Sequence, residues 1–176
     1  MIIEREISKQ IGIVAKEKFV STAIECKPLI ITLASRALNN VFTSKFYDKN
    51  YKAEFEDERI GFVERYENII EGTKEHYLAE TVMYIISYVE LFNYDYVKIG
   101  AAYQKEIKMK SLSQLIALDT KLLSITKSVV DIHYTMSRKE SQIAEALAKI
   151  NGLCDDFEID IKWHVGLLLR YKQLTK

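Results

Sequence analysis

Three histidines, two cysteines and three arginines near apolar faces are the side chains of this chain whose chemistry could exceed simple ion pairing. His76, His133 and His164 lack the HExxH spacing, or any other helical metal spacing, that would bring two imidazoles to one zinc ion. Cys26 and Cys154 form no CxxC pair and read as buried, ordinary thiols. No nucleophile elbow, glycine-rich phosphate loop or histidine–carboxylate constellation is present, so the reading is of a protein that is not an enzyme. The arginines carry a more specific possibility. In the segment from Asp57 to Ile70, residues Phe62, Val63, Tyr66, Ile69 and Ile70 share one helical face. At about 100° per residue Arg59 falls on that same face and Arg65 at its edge. Arg36 sits on the helix that follows Pro28. A guanidinium beside an apolar wall offers paired donors and a compensating charge for a buried carboxylate. The plainer reading makes each arginine a solvated residue paired with Glu58, Glu64 or Glu67. His133 shares a face with Val129 and Val130, where it would either touch a bound head group and titrate or serve as a hydrogen-bonded structural histidine at a core margin or subunit interface. His76 begins a helix, as a cap or in solvent, and His164 beside Trp163 falls on a packing seam of the terminal helix.

These residues need a scaffold, and the composition specifies its class. One proline and six glycines in 176 residues argue for helices throughout, an all-α chain long enough to bury the core of one domain, residues 1–176. Lysine plus arginine equals aspartate plus glutamate, 25 of each, and no basic run is interleaved with aromatics, which argues against nucleic acid as a partner. The start, MIIEREISKQ, mixes both signs of charge, and no apolar run is long enough to cross a bilayer. A cytoplasmic protein that does not span the membrane is expected.

Periodicity divides the chain further. Ile7, Ile11 and Val14 mark a lead-in helix within residues 1–20, and Pro28 fits the first turn of a helix running through Phe42. Thr43 to Glu56 reads as a loop, and Gly72-Thr73 closes the helix that starts near Asp57. From His76 to Phe92, residues Leu78, Val82, Ile85, Ile86 and Val89 form one face, with Tyr77, Tyr84 and Tyr88 on another side. Tyr94 to Lys110 predicts a further helix. Ser111 and Gln114 then have capping-box spacing, opening a long helix from Leu112 to Lys149 on which Leu115, Leu118, Leu122, Ile125, Val129, Ile132 and Met136 step by three and four. Asp155 and Glu158 resemble a cap for a last helix, within residues 152–176, faced by Phe157, Ile161, Val165 and Leu168. The stretch from Tyr94 to Tyr134, read as two core helices meeting at Lys110-Ser111, is expected to organise the rest.

Three motifs carry a family resemblance. ENIIEG before Thr73, YVKIGAAYQKEI from Tyr96 to Ile107, and ALDTKLLSITKSVVDIHY from Ala117 to Tyr134 resemble, in order, the end of the distal helix, the penultimate helix and the long last helix of the globin-type sensor domains of bacterial signalling proteins. The resemblance covers roughly Asp57 to Lys149. It implies a globin-like helical domain with extra terminal helices. Haem-binding members carry a proximal histidine in the helix before YVKIGAAY, where this chain reads MYIISYVELF. Ile86 or a near neighbour takes the ligand position, and isoleucine gives iron no axial donor.

The chain is accordingly most similar to the non-haem globin sensors of bacilli. That resemblance implies no haem, an apolar pocket for a fatty acid beside a halide ion, and a homodimer. It also implies sequestration of signal from, or pairing with, a sensor histidine kinase that carries a homologous domain, and thereby inhibition of sporulation. With no kinase, cyclase or membrane segment in the sequence, no output of its own is expected. Arg65 first, then Arg59 and Arg36, are the candidates to hold the fatty-acid carboxylate, with His133, Val82 and Ile86 lining the site. The alternative is a helical dimerisation or adaptor module with no internal ligand.

Overall fold

The computed structural model describes residues 3–19, 26–51, 61–109 and 118–175. Arg59, the proposed cap at Ser111 and Gln114, and the junction at Lys110-Ser111 lie outside them. Eight α-helices are described: α1 (Arg5–Lys18), α2 (Cys26–Asn40), α3 (Phe62–Arg65), α4 (Lys74–Leu91), α5 (Tyr96–Met109), α6 (Leu118–Tyr134), α7 (Lys139–Asp156) and α8 (Ile161–Leu174). No strand is present among the described residues, where the only extended pairing is a single bridge from Lys45 to Thr73.

The centre of the molecule is α4, not the stretch from Tyr94 to Tyr134. It packs against α1, α2 and α8, and touches α7. Leu78, Val82, Ile85, Ile86 and Val89 are all buried, as their spacing predicts, but so are Thr81, Met83, Ser87 and Tyr88 on other sides. Tyr88 is thus a core residue stacked on Tyr94, with ring centroids 5.3 Å apart, and does not lie on an outer face. A helix covered from several sides must satisfy its polar groups internally. Thr81 and Ser87 do so by donating to the carbonyls of Tyr77 and Met83, each one turn back.

The start of α4 is pinned by charge. Thr73 Oγ1 caps it, accepting from the His76 amide at 3.2 Å. Buried Lys74 donates to the Val41 carbonyl just beyond α2, where the unsatisfied carbonyls at a helix end attract a cation. Buried Glu75 accepts the Tyr47 amide at 2.7 Å. Two charged side chains therefore tie the turn at residues 41–47 to the central helix. Gly72, with φ of 83°, makes the preceding turn in a conformation that glycine adopts without steric cost.

The terminal helices are part of the core. Ile11 and Ala15 of α1 are buried, as are Val165 and Leu168 of α8, and both helices pack on α4. On the other side, α5 packs against α7, and α6 lies between α2 and α7.

Of the long helix expected from Leu112 to Lys149, the described part, from Leu118 on, is two helices. It breaks at residues 135–138, where Arg138 takes a left-handed φ of 60° without glycine or proline. Met136, expected on the apolar face, is 95% exposed, so no burial favours continuing the helix there. Lys139 instead folds back to donate to the Ile132 carbonyl and so caps α6. Gly152 lies inside α7, and Asp155 and Asp156 end that helix instead of starting the next. The true cap of α8 is Asp160, whose Oδ1 accepts the Trp163 amide at 3.2 Å.

The close seating of α1 depends on Gly12. A methyl group there would sit 2.8 Å from Glu90 Cβ, too near for either backbone to stay in place. Glu90 also accepts hydrogen bonds from Arg5 and Ser8, so displacing it loosens the clasp. Gly12→Ala is expected to cost about 1–3 kcal/mol, the usual range for overpacking. A urea titration should show a lower midpoint at unchanged slope; an unchanged midpoint would mean that α1 is not seated on Glu90.

Candidate functional site

Along α4, His76, Glu80, Tyr84 and Ser87 recur at four- and three-residue steps and form one polar seam beside the apolar stripe. His76 is buried at 5% exposure. Its Nδ1 lies 2.8 Å from the Tyr66 hydroxyl and its Nε2 3.5 Å from Glu80 Oε1. Tyr66 enters from a single π-helical turn, Tyr66–Ile70, which directly continues α3 and is closed by the Glu71 amide on the Tyr66 carbonyl at 2.9 Å. The Tyr171 ring of α8 stacks on Tyr66 at 4.5 Å, and its hydroxyl donates to Glu67 at 3.0 Å.

Burial sets the protonation states. Tyr66 is fully buried, and loss of water holds its hydroxyl protonated far beyond the usual range, aided by the negative charge of Glu80 and Glu71. The hydroxyl therefore donates to Nδ1, which leaves the Nε2 hydrogen directed at Glu80. Burial lowers the His76 pKa from 6.5 to about 4, with the Lys172 ammonium acting the same way, so the imidazole is neutral at ordinary pH. Burial raises the Glu80 pKa, and Glu71 adds to that; Lys172 and Lys18 oppose it.

Glu80 also lies at the edge of a pocket between α1, α4 and α8. Ile11, Val14, Ala15, Phe19, Met83 and Leu168 supply apolar walls, and Lys18, Lys172, Glu80 and Tyr84 supply the polar groups. Lys18 Nζ is 3.4 Å from the Tyr84 hydroxyl and 5.3 Å from the centre of that ring. The cavity measures about 40 Å³, room for a water molecule or two, against roughly 300–1,000 Å³ for an occupied small-molecule site.

The residues singled out by sequence are not gathered there. Val82 and Ile86 are wholly buried on α4, turned away from the face formed by Glu80, Met83, Tyr84 and Ser87. Arg65 is half-buried at the end of α3 and does not line the pocket, and Arg36 is exposed on α2. His133 is exposed near the end of α6, edge-on to its neighbour Tyr134, because the break after that helix leaves nothing packed over it. His76 is neither a cap nor solvated, since only its backbone amide meets the Thr73 cap. The cationic groups at the pocket are lysines from opposite ends of the chain. The signal for the seam was the four-residue spacing of His76, Glu80 and Tyr84.

Among the described residues no three histidine, cysteine or acidic side chains converge as a metal site, and no helix is long and apolar enough to cross a membrane. Cys26 and Cys154 are free and buried, and burial pushes the Cys154 thiol far up, which keeps it from reacting as thiolate. Ser87 is committed to the Met83 carbonyl. The arrangement places a neutral imidazole against a carboxyl beside two lysines at the pocket.

The neutral burial of His76 has a pH signature. An unfolded chain takes up this proton below about pH 6.5 and the folded one only near 4, so the stability from His76 is complete above pH 6.5 and is lost as pH falls toward 4. The shift corresponds to about 3 kcal/mol. Glu80, with its raised pKa, works in the opposite direction, losing stability as pH rises through its ordinary value toward the raised one. Glu80→Gln removes that opposing contribution, and the urea midpoint should fall from pH 6.5 to 4. The Glu80→Gln, His76→Gln double variant should lose that slope; retention of it would place the titration elsewhere.

Compared with known proteins, the chain matches no family model, no curated protein and no solved structure.

Proposed function

We propose that this chain is a ligand-binding sensor, globin-like in arrangement and not an enzyme, which takes up a fatty acid between α1, α4 and α8. The observation that carries the reading is the pocket itself, an apolar lining from three helices with two lysines at its polar edge. An acyl chain would lie along Ile11, Val14, Phe19, Met83 and Leu168. Its carboxylate would accept hydrogen bonds from Lys18 and Lys172, which take the role that the resemblance gives to an arginine. A lysine is a compact charge on a flexible stem and suits a half-open rim better than a buried fork does. Haem has no part in this reading, since Ile86 is buried and offers no donor.

The small cavity means that uptake requires α1 to move from α4 and α8 at its Lys18 end. The other end stays clasped by Glu90.

A second reading, a dimerisation or adaptor module, has one observation in its favour. Leu123, 64% exposed, and Tyr134, 73% exposed, are eleven residues apart on α6 and so lie on one outward face, with Val130 between them. A second copy, or a sensor kinase with a homologous domain, would cover that face. Restraint of sporulation through such a mixed pair combines both readings.

Titration with a fluorescent long-chain fatty acid tests the first. Lys18→Ala and Lys172→Ala should each weaken binding about tenfold, the worth of one charge-assisted hydrogen bond, and leave an alcohol of equal length unaffected. Arg65→Ala should bind as the parent does. Equal affinity in all three variants would remove the lysines from the site.

A further inference from the structure

The lysine edge of the pocket contains its own counter-charge, which an anion-binding site should not need. Glu80 lines the same pocket as Lys18 and Lys172 and carries negative charge to the place where a ligand's head group would sit. We propose that Glu80 makes uptake proton-coupled: an anionic amphiphile enters with one proton, which Glu80 takes up, with His76 and Tyr66 holding that carboxyl in position. This rests on the ligand-binding reading above and adds its regulation.

The geometry supports it from every side. On α4 itself, His76 Nε2 lies 3.5 Å from Glu80 Oε1, and Tyr84, one turn further on, shares the pocket. From the π-helical turn and its end come Tyr66, bonded to His76, and the charge of Glu71. From α1 comes Lys18, and from α8 come Lys172 and the Tyr171 ring behind Tyr66. The two ammoniums favour ionised Glu80, whereas burial and Glu71 disfavour it. These influences oppose one another, so the group is sensitive to one more charge. An arriving anion both draws the ammoniums to itself and repels the carboxylate, and both effects favour protonation. By linkage, protonation of Glu80 must strengthen anion binding by the same factor.

His76 contributes position. Its neutral ring is fixed between the Tyr66 hydroxyl and Glu80, with a hydrogen toward the carboxylate. Burial lowers the His76 pKa to about 4 and raises that of Glu80, so the ring stays neutral while the carboxyl beside the ammoniums is the group placed to take up the proton.

Decyl sulfonate is the probe, because its head group stays ionised and any pH dependence belongs to the protein. Calorimetric titration from about pH 8 to about pH 5 should show affinity rising by at most about tenfold per pH unit, the limit for one proton. Buffers of different ionisation heat should report close to one proton taken up per ligand. Glu80→Gln should bind decyl sulfonate at high pH as tightly as the parent does at low pH, with the slope gone. Parent binding with no pH slope and no proton uptake would overturn the coupling and leave the site standing, as would a slope that survives in Glu80→Gln. No decyl sulfonate binding at any pH would overturn the site and the coupling with it.

Discussion

A helix covered on several sides can carry ionisable groups only where each finds a compensating partner, and α4 carries four within seven residues of its start. Lys74 and Glu75 are resolved outward, into the turn after α2. His76 and Glu80 are resolved along the helix and through Tyr66. The first pair fixes how residues 41–47 lie against α4. The second decides what lies at the interface with α1 and α8. Much of the remaining architecture follows: α2 is held by the lysine beyond its end, α3 by the tyrosine it leads into, and α8 by the Tyr171 ring stacked on that tyrosine.

These two solutions differ in kind. Lys74 and Glu75 meet backbone groups, the Val41 carbonyl and the Tyr47 amide. His76 and Glu80 meet each other and, across the pocket, the charges of Lys18 and Lys172. These neighbours act on the Glu80 carboxyl in opposite senses, burial and Glu71 raising its pKa and the two ammoniums lowering it. Surface pairs such as Lys127 with Asp131, on the exposed side of α6, contribute far less and constrain nothing beyond their own turn.

Much of the helical plan was legible. Proline and glycine scarcity gave the class, and three- and four-residue steps located the apolar face of α4 and the buried positions Ile161, Val165 and Leu168 of α8, but on α1 only Ile11, with Ile7 and Val14 half-buried. What escaped reading were features that local signals do not encode. Arg138 breaks a helix that no proline or glycine interrupts, because packing of α7 against α5 and the fold-back of Lys139 outweigh local propensity. His76, Glu80 and Tyr84 were visible as a spacing but not as a buried seam, since an amphipathic reading assigns polar positions to solvent. Tyr66 covers His76, and α1 and α8, arriving from opposite ends of the chain, cover Glu80 and Tyr84. The pocket takes its cations from those two helices, and periodicity within the segment from Asp57 to Ile70 holds no information about them.

If a fatty acid is taken up as proposed, the small size of the cavity has a physical consequence. Moving the Lys18 end of α1 would expose Ile11, Val14, Ala15 and Phe19 to water, at about 25 cal/mol per Å² of apolar surface. A bound acyl chain would cover the same surface and return about 0.8 kcal/mol for each of its own methylenes removed from water. The empty, open pocket would then be the costly state, and a ligand would shift the population only through its preference for the open form. A short acid would bury too little to offset the opening, whereas a long one would. Chain-length selection would thus arise from the closed packing of α1 on α4, with no side chain placed to measure length. The Glu90 clasp at the far end of α1 would leave the Lys18 end as the part that reports occupancy.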